Sequence, residues 1–257
     1  MSEYTLQEMM AIVAAREVQK AGVDVILCGT GISTLAAVAA KKITTPDVVI
    51  FFETGAIDVE FNQMPMSLSD PRVMHGAVRL AGLAEAFALI QNQITGKKTL
   101  GILGAAQIDI YGNLNSTVIG DYFNPKVRFS GSGGACDIGS VVGQSMAFME
   151  LGKRKFVDKL DYLTTPGYLD GPGAREKVGL IGGGPQLVIT NKATFRFDDL
   201  TKKMYLDSYY PGFTPEAIQE EINFAIDLSR AVEAVPPTGH ELEILRTQCD
   251  PERMVLK

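Results

Sequence analysis

A chain of 257 residues, 46% hydrophobic and 21% charged, can bury the core of a large α/β domain, which excludes a wholly disordered protein. Its formal net charge of −6 excludes a nucleic-acid partner, because a phosphate backbone needs a basic face, but it does not exclude a small anionic ligand held locally. Cys28, Cys136 and Cys249 match no zinc or redox spacing and are odd in number, so reduced thiols in a cytoplasmic protein are expected rather than a disulfide framework or a metal site.

The N-terminal MSEYTLQEMM has acidic residues and no apolar core, so it does not read as a signal peptide. No run of about 18 apolar residues follows anywhere, so no membrane span is expected. Residues 5–21 read as an amphipathic helix, with Met9, Ile12, Val13 and Val18 near 3.6-residue spacing and Gly22 as the stop. VDVILCG is a short apolar run of the kind found in buried parallel strands, and Gly29-Thr30-Gly31 separates it from the helical pattern ISTLAAVAAKK. Pro46 and Asp47 then precede a second buried strand, VVIFFE. Strand, turn, helix and strand in this order predict an α/β fold with an open, largely parallel sheet flanked by helices.

Farther along, 80–95 is expected to be helical and TLGILGAAQID to be a strand ending in a small-residue turn. KVRFSGSGGACDIGSVV reads as strand, glycine loop and helix start, and 140–151 as an apolar helix. The 155–200 segment has β character in KFVDKLDYLTT, VGLIGGGPQLVIT and ATFRFD. Thr214 followed by Pro215 marks a helix start, and a polar helix is expected near the end. Without a repeat or low-complexity linker, one domain over 1–257 is the expectation.

Three features carry candidate chemistry. Gly29-Thr30-Gly31 sits where backbone N–H groups at a helix start can face an anion, but Thr34 stands where a dinucleotide fingerprint needs its third glycine, and a tight structural turn is the favoured reading. Glu53 ends an apolar strand and precedes Thr54-Gly55, at the sheet edge where ligands bind in parallel α/β folds; the plain alternative is an exposed strand-end carboxylate. Gly131-Ser132-Gly133-Gly134-Ala135 permits close backbone approach and an oxyanion site, or else a loop packed on a helix. His75 and His240 lack metal-ligand spacing, Cys28 and Cys136 read as buried thiols, and Asp58 and Glu60 as solvated.

Together these motifs resemble the β subunits of family I CoA-transferases. Glu53-Thr54-Gly55 resembles their glutamate motif and 131–135 their glycine motif. The stretch 106–117, Ile119-Gly120-Asp121-Tyr122, Asp161-Tyr162 with Thr165-Pro166-Gly167, Asp170-Gly171-Pro172-Gly173 and Gly184-Pro185-Gln186-Leu187-Val188 resemble the glutaconate CoA-transferase branch. The likeness runs from about residue 5 to about residue 250.

The resemblance implies a hetero-oligomer with an α-type subunit that supplies much of the coenzyme A site. It implies coenzyme A as substrate, with no permanently bound cofactor. It implies a ping-pong transfer in which Glu53 is acylated and then carries CoA as a thioester, with Gly133 or Gly134 donating a backbone N–H to the oxyanion. Gly29, Thr30, Gly31, Thr54, Gly55, Gln107 and Ser132 are the implied substrate- and CoA-binding set. Thr54 replaces the branch's serine, and Gly104-Ala105-Ala106-Gln107 replaces Gly-Gly-Ala-Gln, so the acyl pocket and the acid, expected to be of dicarboxylate type, stay open. Two other readings are a decarboxylase or hydrolase of CoA thioesters on the same scaffold, and a non-catalytic subunit that supports an α partner.

Overall fold

The structure, a computed structural model, describes residues 3–92 and 94–256. The backbone divides into two compact units. One is the chain up to Ile102 together with the segment from Pro236 onward, and the other is Leu103–Val235.

The first unit opens with α1 (Leu6–Ala21). Thr5 accepts from Glu8 N at 3.2 Å while the Glu8 carboxylate accepts from Thr5 N at 2.8 Å, a reciprocal cap that fixes the helix start. Gly22, at φ 62°, ends it. The spacing read from the sequence is the buried face, since Met9, Ile12 and Val18 are fully enclosed. Next come β1 (Val25–Cys28), α2 (Ile32–Ala39), β2 (Val49–Phe51), β3 (Ala56–Ile57), β4 (Arg79–Leu80), α3 (Leu83–Gln91) and β5 (Thr99–Gly104). The strand order is β5-β1-β2-β3-β4, with β5 and β2 parallel to β1, β3 antiparallel to β2 and β4 antiparallel to β3. Ile26 pairs with Ile50 on one side and Leu100 on the other, and all three are buried, which is why these strands read as continuous apolar runs.

The second unit holds two small hairpins, β6 (Gln107–Ile108) with β7 (Leu114–Asn115) and β8 (Val118–Gly120) with β9 (Pro125–Arg128). It continues with α4 (Ala135–Val141), β10 (Gln144–Phe148), α5 (Ala174–Lys177), β11 (Pro185–Ile189), β12 (Ala193–Phe197), β13 (Met204–Tyr209), α6 (Pro215–Gln219) and β14 (Val232–Glu233). Its strands run in the order β14-β13-β12-β11-β10, parallel at β10–β11 and β13–β14 and antiparallel between. Thr214 accepts from Ala217 N to start α6, with Pro215 in its first turn as expected. The chain then returns to the first unit with α7 (Gly239–Ile244).

The expected α/β architecture with a mostly parallel sheet flanked by helices is the one observed. Two local expectations are corrected. The apolar 140–151 segment is not a helix: α4 stops at Val141 and 144–148 is a strand, because parallel pairing with β11 satisfies its backbone. The stretch KFVDKLDYLTT forms no regular strand. It spends its backbone bonds on single contacts, Ile108 N to Lys155 O and Val157 N to Ile108 O. Among the described residues no helix is long and apolar enough to cross a membrane.

Candidate active site

In the first unit the strand that carries Glu53 ends in a tight turn. Gly55 N donates to Phe52 O at 2.9 Å and Phe52 N donates to Ala56 O at 3.0 Å, which leaves Glu53 and Thr54 at the two corner positions. Gly55 adopts φ +96°, and a Cβ there would lie 1.9 Å from the carbonyl oxygen of Ala81, so only glycine fits. Glu53 is half-buried. The Thr54 hydroxyl oxygen is buried with no hydrogen-bond partner among the described residues.

Because Leu27 pairs with Phe51 in parallel register, the Glu53 turn and the Gly29-Thr30-Gly31 loop leave their strands at the same carboxyl edge, where α/β sheets place their ligands. Thr34 pins that loop by donating to Gly29 O at 2.6 Å, and Gly31, at φ +72°, caps α2 without a side-chain bond to its first amides. Cys28 is buried in β1, where desolvation pushes its thiol up to about 12, so it is a core residue as expected and no nucleophile. Asp58 is bound to Lys41 at 2.5 Å, and Glu60 is exposed. His75 faces Asn62 at 3.0 Å, and no group of three or more metal-ligating residues occurs among the described residues.

In the second unit an open cleft of about 840 Å³ is lined by part of the 106–117 stretch but not by the glycine loop 131–135. Ala105, Gln107, Ser116 and Ser130 lie on it, and every charged residue that lines it is a cation: Lys126, Arg154 and Lys155. Lys155 is paired with Glu150 at 2.7 Å. In a chain of net charge −6 this is a local inversion of sign suited to an anionic ligand.

Gln107 is 5% exposed and anchors the cleft. Its Nε2 donates to Asp161 at 2.9 Å, and its Oε1 accepts from Asn115 Nδ2 at 2.7 Å and from Asp161 N at 3.1 Å. The glycine loop begins beside Ser116: Gly131 N donates to Ser116 O at 3.2 Å and Ser116 Oγ returns to Gly131 O at 3.0 Å. Ser132 Oγ accepts from Cys136 N at 3.0 Å, which caps the first turn of α4. Gly133, at φ +49°, is an exposed corner, and Gly134 is the N-cap of α4. Cys136 is exposed, against the expectation of a buried thiol, since that first turn faces outward.

The family profile described as Coenzyme A transferase matches residues 7–221. The chain belongs to the coenzyme A transferase family. This CoA-transferase chain is 40% identical over 257 residues to one of the subunits of glutaconate CoA-transferase from Acidaminococcus fermentans, covering 97% of this chain and 94% of that one. The crystal structure of glutaconate coenzyme A-transferase from the same organism superposes with a TM-score of 0.93 at 38% identity, covering 99% of this chain and 98% of that one. One of the subunits of 3-oxoadipate CoA-transferase from Pseudomonas knackmussii is 36% identical over 248 residues, covering 96% and 94% of the two chains. The family and fold expected from the motifs are therefore those found.

Three residues of this CoA-transferase went unnoticed in its sequence. Lys126 and Arg154 line the cleft, and Arg175 is a buried cation behind α4. None stands in a motif; each is an isolated cation whose role depends on what folds around it.

Proposed function

We propose that this CoA-transferase chain is the β-type subunit of a hetero-oligomer and that Glu53 is its nucleophile. The observation that carries the reading is the turn after β2. Gly55, pressed on Ala81, sets the Glu53 carboxylate at a fixed corner on the carboxyl edge of a parallel sheet.

The Glu53 carboxylate attacks the thioester carbonyl of an acyl-CoA, and the C–S bond breaks to give an acyl-glutamyl anhydride and CoA thiolate. The thiolate attacks the glutamyl carbonyl, which frees the first acid and leaves CoA on Glu53 as a thioester. An incoming carboxylate reverses both steps, so each CoA thioester bond broken is matched by one formed. Each tetrahedral intermediate needs a donor at its oxyanion, and the Gly133 or Gly134 N–H is the assigned one. Water must be kept out, since anhydride and thioester both hydrolyse. Coenzyme A is a substrate here, not a resident cofactor, and the α-type partner supplies much of its site.

A dicarboxylic acyl group is the assigned substrate class. Glutaconate and 3-oxoadipate, in the names of the two relatives, are both dicarboxylates, and Lys126 and Arg154 supply positive charge beside Ala105 and Gln107 for an anionic end. The test is to co-express the chain with an α-type subunit, add acyl-CoA and trap the enzyme with hydroxylamine or borohydride for mass spectrometry. The adduct should map to Glu53, and Glu53→Gln should lower kcat by about a thousandfold or more. A fully active Glu53→Ala complex would defeat the assignment.

A further inference from the structure

Arg175, in α5, is 4% exposed, and among the described residues its hydrogen bonds go to backbone carbonyls alone. Nη1 donates to Gly167 O at 2.7 Å and Pro166 O at 3.3 Å. Nη2 donates to Gly139 O at 2.9 Å and Gly182 O at 3.0 Å, and Nε to Gly182 O at 3.2 Å. A buried cation carries a desolvation cost that only its ring of carbonyl dipoles offsets, and removing it would leave those buried carbonyls without a donor. Burial accordingly lowers its pKa, and the fork of carbonyls keeps the charged form in place. A cost of this kind is explained by what the fork holds together.

The three carbonyl sources are three separate segments that meet at the C-terminal end of α4. Gly139 belongs to the last turn of that helix, where carbonyls run out of helical donors and carry the negative end of its dipole. Gly182 N and Gly183 N donate to Ser140 O and Val142 O at 2.8 and 3.1 Å, bringing the second segment against the same turn. The third, at Pro166 and Gly167, lies so close that a Cβ on Gly139 would fall 2.3 Å from Thr165 Cγ2. The other end of α4 carries the glycine loop, and that loop starts on Ser116, itself held where Ser116 N donates to Thr164 Oγ1 at 2.9 Å. The 131–134 loop is thus clamped at its start by Ser116 and at its end through α4.

We propose that Arg175 is a positioning residue for catalysis: its guanidinium fork fixes α4 at Gly139 and thereby holds in place the Gly133–Gly134 amides at the other end of that helix. The inference rests on the assignment of those amides to the oxyanion. It gives the buried cation a kinetic role in addition to a stabilising one, because a displaced helix moves donors whose value depends on placement. Lysine retains the charge but not the planar fork and reaches at most part of the carbonyl set.

The test uses the co-expressed complex, with kcat counted per complex recovered at native size by gel filtration and measured below the melting temperature of every variant. Arg175→Met is expected to lower kcat about tenfold or more with KM for acyl-CoA changed less than about threefold, and Arg175→Lys to restore part of the loss. A kcat within about twofold of the parent, with only a lower melting temperature, overturns the proposal and leaves Arg175 a stability residue. If Arg175→Met yields no folded complex, Arg175→Lys decides by the same ratio. Glu53→Gln run alongside separates the two levels of the argument. Full activity in that variant removes the nucleophile assignment, whereas an inactive Glu53→Gln beside an unimpaired Arg175→Met removes the Arg175 proposal alone.

Discussion

Gly55 and Ala81 are in backbone contact: a Cβ on Gly55 would fall 1.9 Å from Ala81 O, while Ala81 N donates to Gly55 O at 2.8 Å. The contact joins the Glu53 turn to β4, so the position of the carboxylate depends on a residue 26 positions beyond Gly55 in the chain. Gly55→Ala must either abandon φ +96° or push the β4 segment away. It should cost about 3 kcal/mol in denaturant unfolding. In folded complex it should lower kcat, read against the parent enzyme under saturating substrate.

The cationic lining of the second-unit cleft makes a kinetic prediction. Arg154→Gln should raise KM for the carboxylic acid acceptor about five- to tenfold, with a smaller change in kcat, because a charge-assisted contact to the substrate is lost. Added salt should weaken binding in the parent more than in the variant. Unchanged KM in both Arg154→Gln and Lys126→Gln would remove the cleft from substrate binding.

Stability should fall on acidification through a defined pair. Glu8 is completely buried and receives Arg246 Nε at 2.6 Å and Nη2 at 2.9 Å. The Arg246 hydrogen bond is the main force that holds its carboxyl below the ordinary glutamate range, against the opposing push of burial. A folded-state pKa below the unfolded one gives stability that is present above about pH 4.3 and lost as pH falls through the depressed value. Melting temperature should therefore be flat near neutrality and drop in acid. Glu8→Gln should lose about 2 kcal/mol at pH 7, less than a fully buried pair would because the Arg246 side chain is 39% exposed, and its acid slope should be shallower.

Thiol chemistry should distinguish the three cysteines. Cys136 is exposed, while Cys28 and Cys249 are buried and desolvation pushes both thiols up to about 12. In the isolated native chain an aromatic disulfide reagent at mildly alkaline pH should consume one thiol quickly and the others only on unfolding. Cys136→Ser should abolish the fast phase.

Elements whose identity rests on local chemistry were legible in the sequence. The 5–21 helical spacing, the Gly22 stop, the apolar runs of β1 and β2 and the Thr214-Pro215 start are each decided by neighbours a few residues apart. The 144–148 strand was not, because a short apolar run has no period that separates a buried strand from a buried helix, and β11 decides it from some 40 residues away. Glu53 was visible as a strand-end acid, but the contact that makes its turn obligatory, Gly55 on Ala81, is tertiary. Arg175 was wholly illegible for the same reason: nothing near it in sequence shows that its guanidinium is enclosed by Gly139, Gly167 and Gly182.

The first unit is closed by its own latest arrival. Arg16 on α1 donates to Glu241 at 2.6 Å and to Pro236 O at 3.1 Å, and Glu8 waits for Arg246, so α1 acquires these partners only after Leu103–Val235 has been synthesised. On the ribosome, the later-encoded unit therefore has its whole sequence available while the earlier one still lacks a wall. For the time needed to translate more than half the protein, the Arg16–Glu241 and Glu8–Arg246 pairs that tie the N-terminal helix to the C-terminal segment stay unmade. Slow translation of the last twenty residues, or their removal, should accordingly show first as capture of the nascent chain by chaperones rather than as loss of chemistry.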